Sequence, residues 1–150
     1  MKKEVVEFLK SQRLMAIASC EGGIWIANVY YGMDEGAKIY FISPLDTKHS
    51  QQILKSPDVA FSVAWYDKQS PGNRKAVQGT GLCKLVENED EIRKGIQVHN
   101  EVFHEFKEVL TPEYLLSDEN DTKVWILEPR HIKFWNDELY GGKEWEEFDV

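Results

Sequence analysis

A chain of 150 residues with ordinary apolar content, 42% hydrophobic and 29% charged, is long enough to close one core, so residues 1–150 are expected to form a single domain. With 18 Lys and Arg against 26 Asp and Glu, a net charge of −8 offers no basic footprint for nucleic acid or an anionic membrane. No apolar run approaches the roughly 20 residues of a spanning helix, and Glu4 and Glu7 interrupt any signal-peptide core, so the expected compartment is the cytoplasm.

The cysteines fit that compartment. Cys20 and Cys83 stand 63 residues apart in no metal or redox motif, and read as free thiols. No repeat, low-complexity tract or linker divides the chain.

Residues 3–12 read as an amphipathic helix with Val5, Phe8 and Leu9 on its apolar stripe. Leu14–Ser19 and Ile24–Tyr31 read as two strands, joined at Cys20-Glu21-Gly22-Gly23 into a hairpin. After a turn at residues 33–36, Lys38–Ile42 is a third strand, stopped by Ser43-Pro44. Asp46 is the predicted N-cap of a helix starting near Thr47, which places Thr47, Lys48 and His49 in its first turn. First-turn amides lack internal partners and carry the positive end of the helix dipole, so with a hydroxyl and an ammonium beside them they form a candidate phosphate seat. Asp46, as the cap, opposes an anion there.

Val59–Trp65 is a fourth strand, and residues 67–75 form a polar loop. Residues 76–86 are a fifth strand, whose Gly79 and Gly81 predict a bulge or a close backbone approach. Asn88 with Glu91 three residues on marks a helix start, and that helix is expected to run to about Lys107. A short helical piece opens at Thr111-Pro112, a sixth strand covers Thr122–Glu128, and Pro129-Arg130 is read as a corner before a seventh strand, His131–Trp135. The acidic end is expected to be loose. The pattern is a mainly β, antiparallel barrel of six to seven strands, with a short helix between strands three and four and a longer one after strand five.

The chain carries none of the phosphate-loop, dinucleotide, nucleophile-elbow or zinc-protease motifs. His99 and His104 are separated by roughly 140° on a helix, so they do not share one face for a metal, and no metal site is assigned. Trp25, Tyr30, Tyr31, Tyr40, Phe41, Trp65, Tyr66, Trp125, Phe134 and Trp135 fall on or beside predicted strands, as core, as oligomer interface, or as a wall for a flat ring.

The run WIANVYY at Trp25–Tyr31, then IYFIS, then Thr47-Lys48-His49-Ser50, then SPDVAFSV and VQGTG, resembles the FMN-binding split barrels related to pyridoxamine 5'-phosphate oxidase. Ile132-Lys133-Phe134, Leu139 and Gly142-Lys143 resemble the end of a small bacterial branch of that superfamily. The resemblance implies a split β-barrel homodimer with FMN at the subunit interface and a small-molecule redox partner. It assigns the flavin phosphate to Lys48, Thr47 and His49. It places the ring beside Asn28, Val29, Tyr30 and Ser43, with Gln78 reaching the ring or ribityl chain and Trp135 of the partner closing the site. No side chain is named as catalytic. Arg74 and Lys75 offer a second basic contact.

The oxidases proper resemble one another in carrying several arginines for their substrate, including a C-terminal pair. This chain ends in EWEEFDV with only Arg130 nearby, which argues against pyridoxamine phosphate oxidation. An FMN-dependent oxidoreductase is the first expectation. The alternatives are a non-catalytic flavin or haem module, with His49, His99 and His104 as candidate haem ligands, and a cofactor-free dimeric barrel.

Overall fold

Burial alternates along the strands, and that alternation builds the barrel. The computed structural model describes residues 1–142 and 144–150; Lys143, part of the resemblance above, lies outside the described residues. In β1 (Leu14–Cys20) Met15, Ile17 and Ser19 are buried, while Leu14, Ala16 and Ala18 face outward. β2 (Ile24–Met33) pairs with β1 as the expected antiparallel hairpin, Leu14 opposite Tyr30 and Cys20 opposite Ile24. β3 (Ile39–Pro44) lies on β2, β4 (Asp58–Trp65) on the other side of β1, and β5 (Lys75–Leu85) on β4.

β6 (Thr122–Asn136) closes the ring. It runs along the whole of β5, and its first half also pairs with β3, from Pro44 opposite Thr122 to Ile39 opposite Leu127. The order is β3-β2-β1-β4-β5-β6 and back to β3, with β7 (Trp145–Asp149) added to the second half of β6.

Two expectations are corrected here. Pro129-Arg130 is not a corner: Gly81 faces Pro129 and Thr80 faces His131, so Arg130 is the extra residue of a bulge in one continuous strand. A bulge tolerates the missing Pro129 amide. Gly81 is the partner such a site requires, because a Cβ there would sit 2.5 Å from the Glu128 carbonyl oxygen. The acidic tail is not loose either. It forms β7, where His131 Nδ1 lies 2.8 Å from Asp149 and Nε2 3.0 Å from Glu147, while Lys2 pairs with Glu146 at 2.7 Å.

α1 (Lys3–Ser11) buries Val5, Phe8 and Leu9 against the barrel core, with the Phe8 and Phe134 rings 5.5 Å apart. α2 (Lys48–Lys55) joins β3 to β4. α3 (Glu89–Val102) starts as expected, Asn88 Oδ1 accepting from the Glu91 amide at 3.1 Å. It stops at Val102 rather than near Lys107; a single 3₁₀ turn, His104–Phe106, follows. α4 (Pro112–Leu116) is capped by Thr111, and α5 (Asp137–Tyr140) is a short turn of helix. α3 and α4 cover the outside of β3 and β6 through Tyr40, Ile92, Ile96, Leu115, Val124 and Ile126, a cluster separate from the barrel interior. Among the described residues, no helix is long and apolar enough to cross a membrane.

Candidate functional site

The end of β3 turns Ser43 inward, and Pro44 ends the strand. The cap of α2 is Thr47 rather than Asp46. Thr47 Oγ1 accepts from the Ser50 amide at 3.4 Å, donates to the Pro44 carbonyl at 3.0 Å, and lies 2.7 Å from Ser50 Oγ. Asp46 is exposed one residue outside the cap, so the carboxylate does not take a first-turn amide. His49 folds back onto β3, with Nε2 2.8 Å from Ser43 Oγ and the ring 6.5 Å from Phe41. Burial pushes its pKa below the usual value, so the imidazole is held neutral. Trp125 Nε1 donates to the Ser43 carbonyl at 3.1 Å, which pins the end of β3 from below.

Ser43 and His49 open onto a cavity of about 300 Å³. Asn28, Val29 and Tyr30 of β2 form one wall, and His99, Phe106 and Leu110 form another, with Ile42 and Thr122 completing the lining. An aromatic chain backs the second wall: Tyr30 lies 5.2 Å from Phe103, Phe103 4.8 Å from His99, and His99 6.1 Å from Phe106, centroid to centroid. α3 approaches β2 this closely because position 32 is glycine; a Cβ there would meet the Val98 carbonyl oxygen at 2.6 Å.

The structure therefore brings together Asn28, Val29, Tyr30, Ser43 and His49. Thr47 stands behind them as a cap. Lys48 follows it on the surface, with Nζ 4.4 Å from the Trp25 ring centroid, a cation–π contact rather than a place in the lining. Gln78 and Trp135 lie elsewhere in the same chain. Gln78 faces Ser62 on β4 and Lys133 on β6. Trp135 packs on Trp145 at 4.8 Å, with Lys133 Nζ 4.9 and 4.4 Å from the two rings. Arg74 and Lys75 are paired with Asp137 at 3.0 Å and Glu138 at 2.6 Å.

Register joins two of these separated groups. On the outer face, Asn28 of β2 lies in one row with Ala16, Ser62, Gln78 and Lys133. Asn28 and Gln78 are both exposed and three strand spacings apart, about 14 Å along the sheet. The next row is Ile26, Ala18, Ala60, Thr80 and His131. Ile24 is 80% exposed and Ile26 62%, and Leu14 and Tyr30 are also exposed, so this face of β1, β2 and β4 is apolar and uncovered.

Sequence reasoning missed the α3 side of the cavity. His99 entered only as a candidate metal or haem ligand, Phe106 as a packing residue of the helix and Thr122 as the start of a strand, none of them as part of a cavity. A signal existed: Ile92, Ile96, His99 and Phe103 follow the 4-3-4 spacing of a buried stripe, so a histidine continues an apolar face. His104 is exposed on the 3₁₀ turn, outside the cavity. Among the described residues, no group of three or more His, Cys, Asp or Glu is placed to hold a metal ion.

The sequence matches the family model described as pyridoxamine 5'-phosphate oxidase over residues 1–136. Among curated proteins, no sequence matches the chain. Among solved structures, the chain is similar to a heme binding protein from Mycobacterium smegmatis, with 18% identity and a TM-score of 0.77 over 98% of this chain and 57% of that one. It thus spans little more than half the length of that protein. It is also similar to a NimC/NimA family protein from Clostridium acetobutylicum (17% identity, TM-score 0.69, 99% and 91% of the two chains). A third is a FAD-binding protein from Mesorhizobium loti (14% identity, TM-score 0.67, 86% and 87%). At these identities the likeness is one of fold.

Proposed function

The chain belongs to the pyridoxamine 5'-phosphate oxidase family, and from that premise we propose that residues 1–150 form one FMN-binding domain of a cytoplasmic homodimer, a flavin-dependent oxidoreductase acting on a small-molecule redox partner. The observation that carries this reading is the continuity of the cavity with the uncovered face. Asn28 and Tyr30 belong to both, and Gln78 stands on that face in the row of Asn28. A second copy packed on the apolar face would bury Ile24 and Ile26 and bring Gln78 and Trp135 of the partner subunit toward the cavity.

The cavity suits part of a flavin. Its volume of about 300 Å³ is at the low end of ligand sites, and its lining is aromatic and apolar with a few convergent polar groups. Thr47 and Lys48, with the first amides of α2, would hold the phosphate, and His49 would support that seat through Ser43. With Thr47 rather than Asp46 as the cap, no carboxylate occupies a first-turn amide. Asn28, Val29, Tyr30 and Ser43 would hold the ring. Bound flavin supplies the electron-transfer chemistry, and the chain's own groups bind and orient it; no catalytic side chain is assigned. Oxidation of pyridoxamine phosphate does not follow from membership, because Arg130, the one arginine near the C-terminus, is exposed on the bulge and 3.7 Å from Asp58.

A second reading has its own support. His49 and His99 are buried, are held neutral by that burial, and line one cavity. Neutral imidazole is the form that ligates a metal, so a non-catalytic haem module is the alternative. Titration of the purified protein with FMN separates the two: the flavin reading predicts saturable binding with quenched flavin fluorescence and one equivalent per chain. Absence of saturable FMN binding, together with a shifted Soret band on adding hemin, would replace it by the haem module. FMN that binds yet resists anaerobic reduction by NAD(P)H would leave a flavin carrier without the oxidoreductase activity.

A further inference from the structure

His99 is 3% exposed, and both of its ring nitrogens can be assigned from the bonds around them. Asn100 Nδ2 donates to the Leu110 carbonyl at 2.9 Å. A carbonyl only accepts, so the Asn100 amide nitrogen faces Leu110 and its oxygen faces His99. His99 Nδ1 lies 3.1 Å from that oxygen. An amide oxygen also only accepts, so Nδ1 carries the hydrogen. Burial pushes the imidazole below its usual pKa, more than the Asn100 bond and the charge of Glu105 raise it. The ring is therefore neutral and Nε2 holds a lone pair.

Nε2 meets no hydrogen-bond partner among the described residues, yet it is not one of the sealed orphan atoms, which are Asn73 Oδ1 and Tyr140 Oη. It therefore reaches accessible space, and the cavity that His99 lines is the one shared with Asn28, Tyr30, Ser43 and His49. The Phe103 and Phe106 rings both pack on the imidazole, 4.8 and 6.1 Å away centroid to centroid. A ligand that fills the cavity and brings an N–H or O–H to Nε2 satisfies this acceptor, whereas one that fills it without a donor leaves the acceptor unpaired.

We infer that His99 Nε2 is a specificity-determining hydrogen-bond acceptor, held in one tautomer by Asn100 and Leu110, and that it selects a planar ligand presenting a donor edge to the α3 wall. This rests on the flavin reading, in which the imide N–H of the isoalloxazine is that donor. A donor on the redox substrate has the same chemistry, and the test separates the two sources.

Dissociation constants for FMN and for N3-methyl-FMN are measured by fluorescence on the wild type, His99→Phe and His99→Gln. Thermal melts of each variant check folding. The wild type is expected to prefer FMN over the methylated analogue by roughly fivefold to tenfold beyond the preference that remains in His99→Phe. His99→Gln keeps an acceptor near the Nε2 position and is expected to retain most of that preference. In the ligand-free wild type, nitrogen-15 shifts of His99 should report a protonated Nδ1 and a bare Nε2, with Nε2 moving on FMN addition. Should FMN bind while the methylated analogue binds the wild type and His99→Phe with the same ratio, the imide assignment is overturned and the flavin reading stands. A protonated Nε2 in the ligand-free protein overturns the acceptor altogether. If FMN does not bind the wild type, the flavin reading fails and this inference fails with it.

Discussion

At the scale of single residues, the first turn of α2 separates two side chains that the sequence treats as equals. Asp46 and Thr47 are both good caps and are adjacent. The choice was not legible because it depends on which of them meets the Ser50 amide, and that is Thr47. Thr47→Ala should therefore lower the urea-unfolding free energy by about 1 kcal/mol, with Asp46→Ala close to neutral; equal losses would return the cap to Asp46. Lys48 presently lies over Trp25, and holding a phosphate requires it to leave that ring. Lys48→Ala removes a charge-assisted contact of roughly 1.5–3 kcal/mol, offset by the lost cation–π contact of about 0.5–1 kcal/mol. FMN affinity should then fall by roughly tenfold in a fluorescence titration, and an unchanged affinity would take Lys48 out of the site. His49 and His99 set an acid limit. Both have folded pKa values depressed by burial, while the unfolded chain titrates near 6.5. Their full native stability is present above that pH and is lost as pH falls below it toward the folded values. The urea midpoint should drop between pH 7 and pH 5, and by less in the His49→Gln variant.

At the scale of elements, β-alternation and helix caps were read locally and placed β1 to β5 and the start of α3 correctly. β6 and β7 were misread because what decides them is distant in sequence. The Pro129 bulge is tolerated by Gly81 across the ladder, and the acidic tail is captured by Lys2, His131 and Lys133, which look like ordinary surface charges until the strand arrives. His131 then gives β7 a pH dependence of opposite sign to the buried histidines. Asp149 and Glu147 raise its pKa in the folded state. Its contribution is complete below the unfolded value near 6.5 and is lost as pH rises through the folded value. Amides of Trp145–Asp149, corrected for intrinsic exchange, should lose protection between pH 6 and pH 8.5, and His131→Gln should abolish the difference. Protection that stays flat in the wild type would show that backbone pairing alone holds the strand. α3 depends on Gly32: the Cβ of Gly32→Ala would press on the Val98 carbonyl, at an expected cost of about 1–3 kcal/mol in urea unfolding together with weaker FMN binding.

At the scale of the whole molecule, the order and spacing of short motifs made the barrel readable, and the family match agrees with that reading. The cavity was only half readable. Its β2, β3 and α2 walls come from one contiguous stretch, residues 24–55, whereas His99, Phe106, Leu110 and Thr122 arrive from residues beyond the fifth strand. The uncovered apolar face links the cavity to Gln78, and the proposed function depends on that link. Ile26→Lys puts a charge in the middle of the face, so sedimentation should show a weakened dimer and fluorescence a parallel loss of FMN affinity. A monomeric variant that binds FMN as the wild type does would remove the second copy from the site.

Native mass spectrometry of the protein after FMN addition is the most direct test. A flavin seated on a seam between two copies predicts a dimer carrying two FMN molecules, with no flavin on any monomer. A monomer that carries one FMN, or a dimer that carries none, would contradict it.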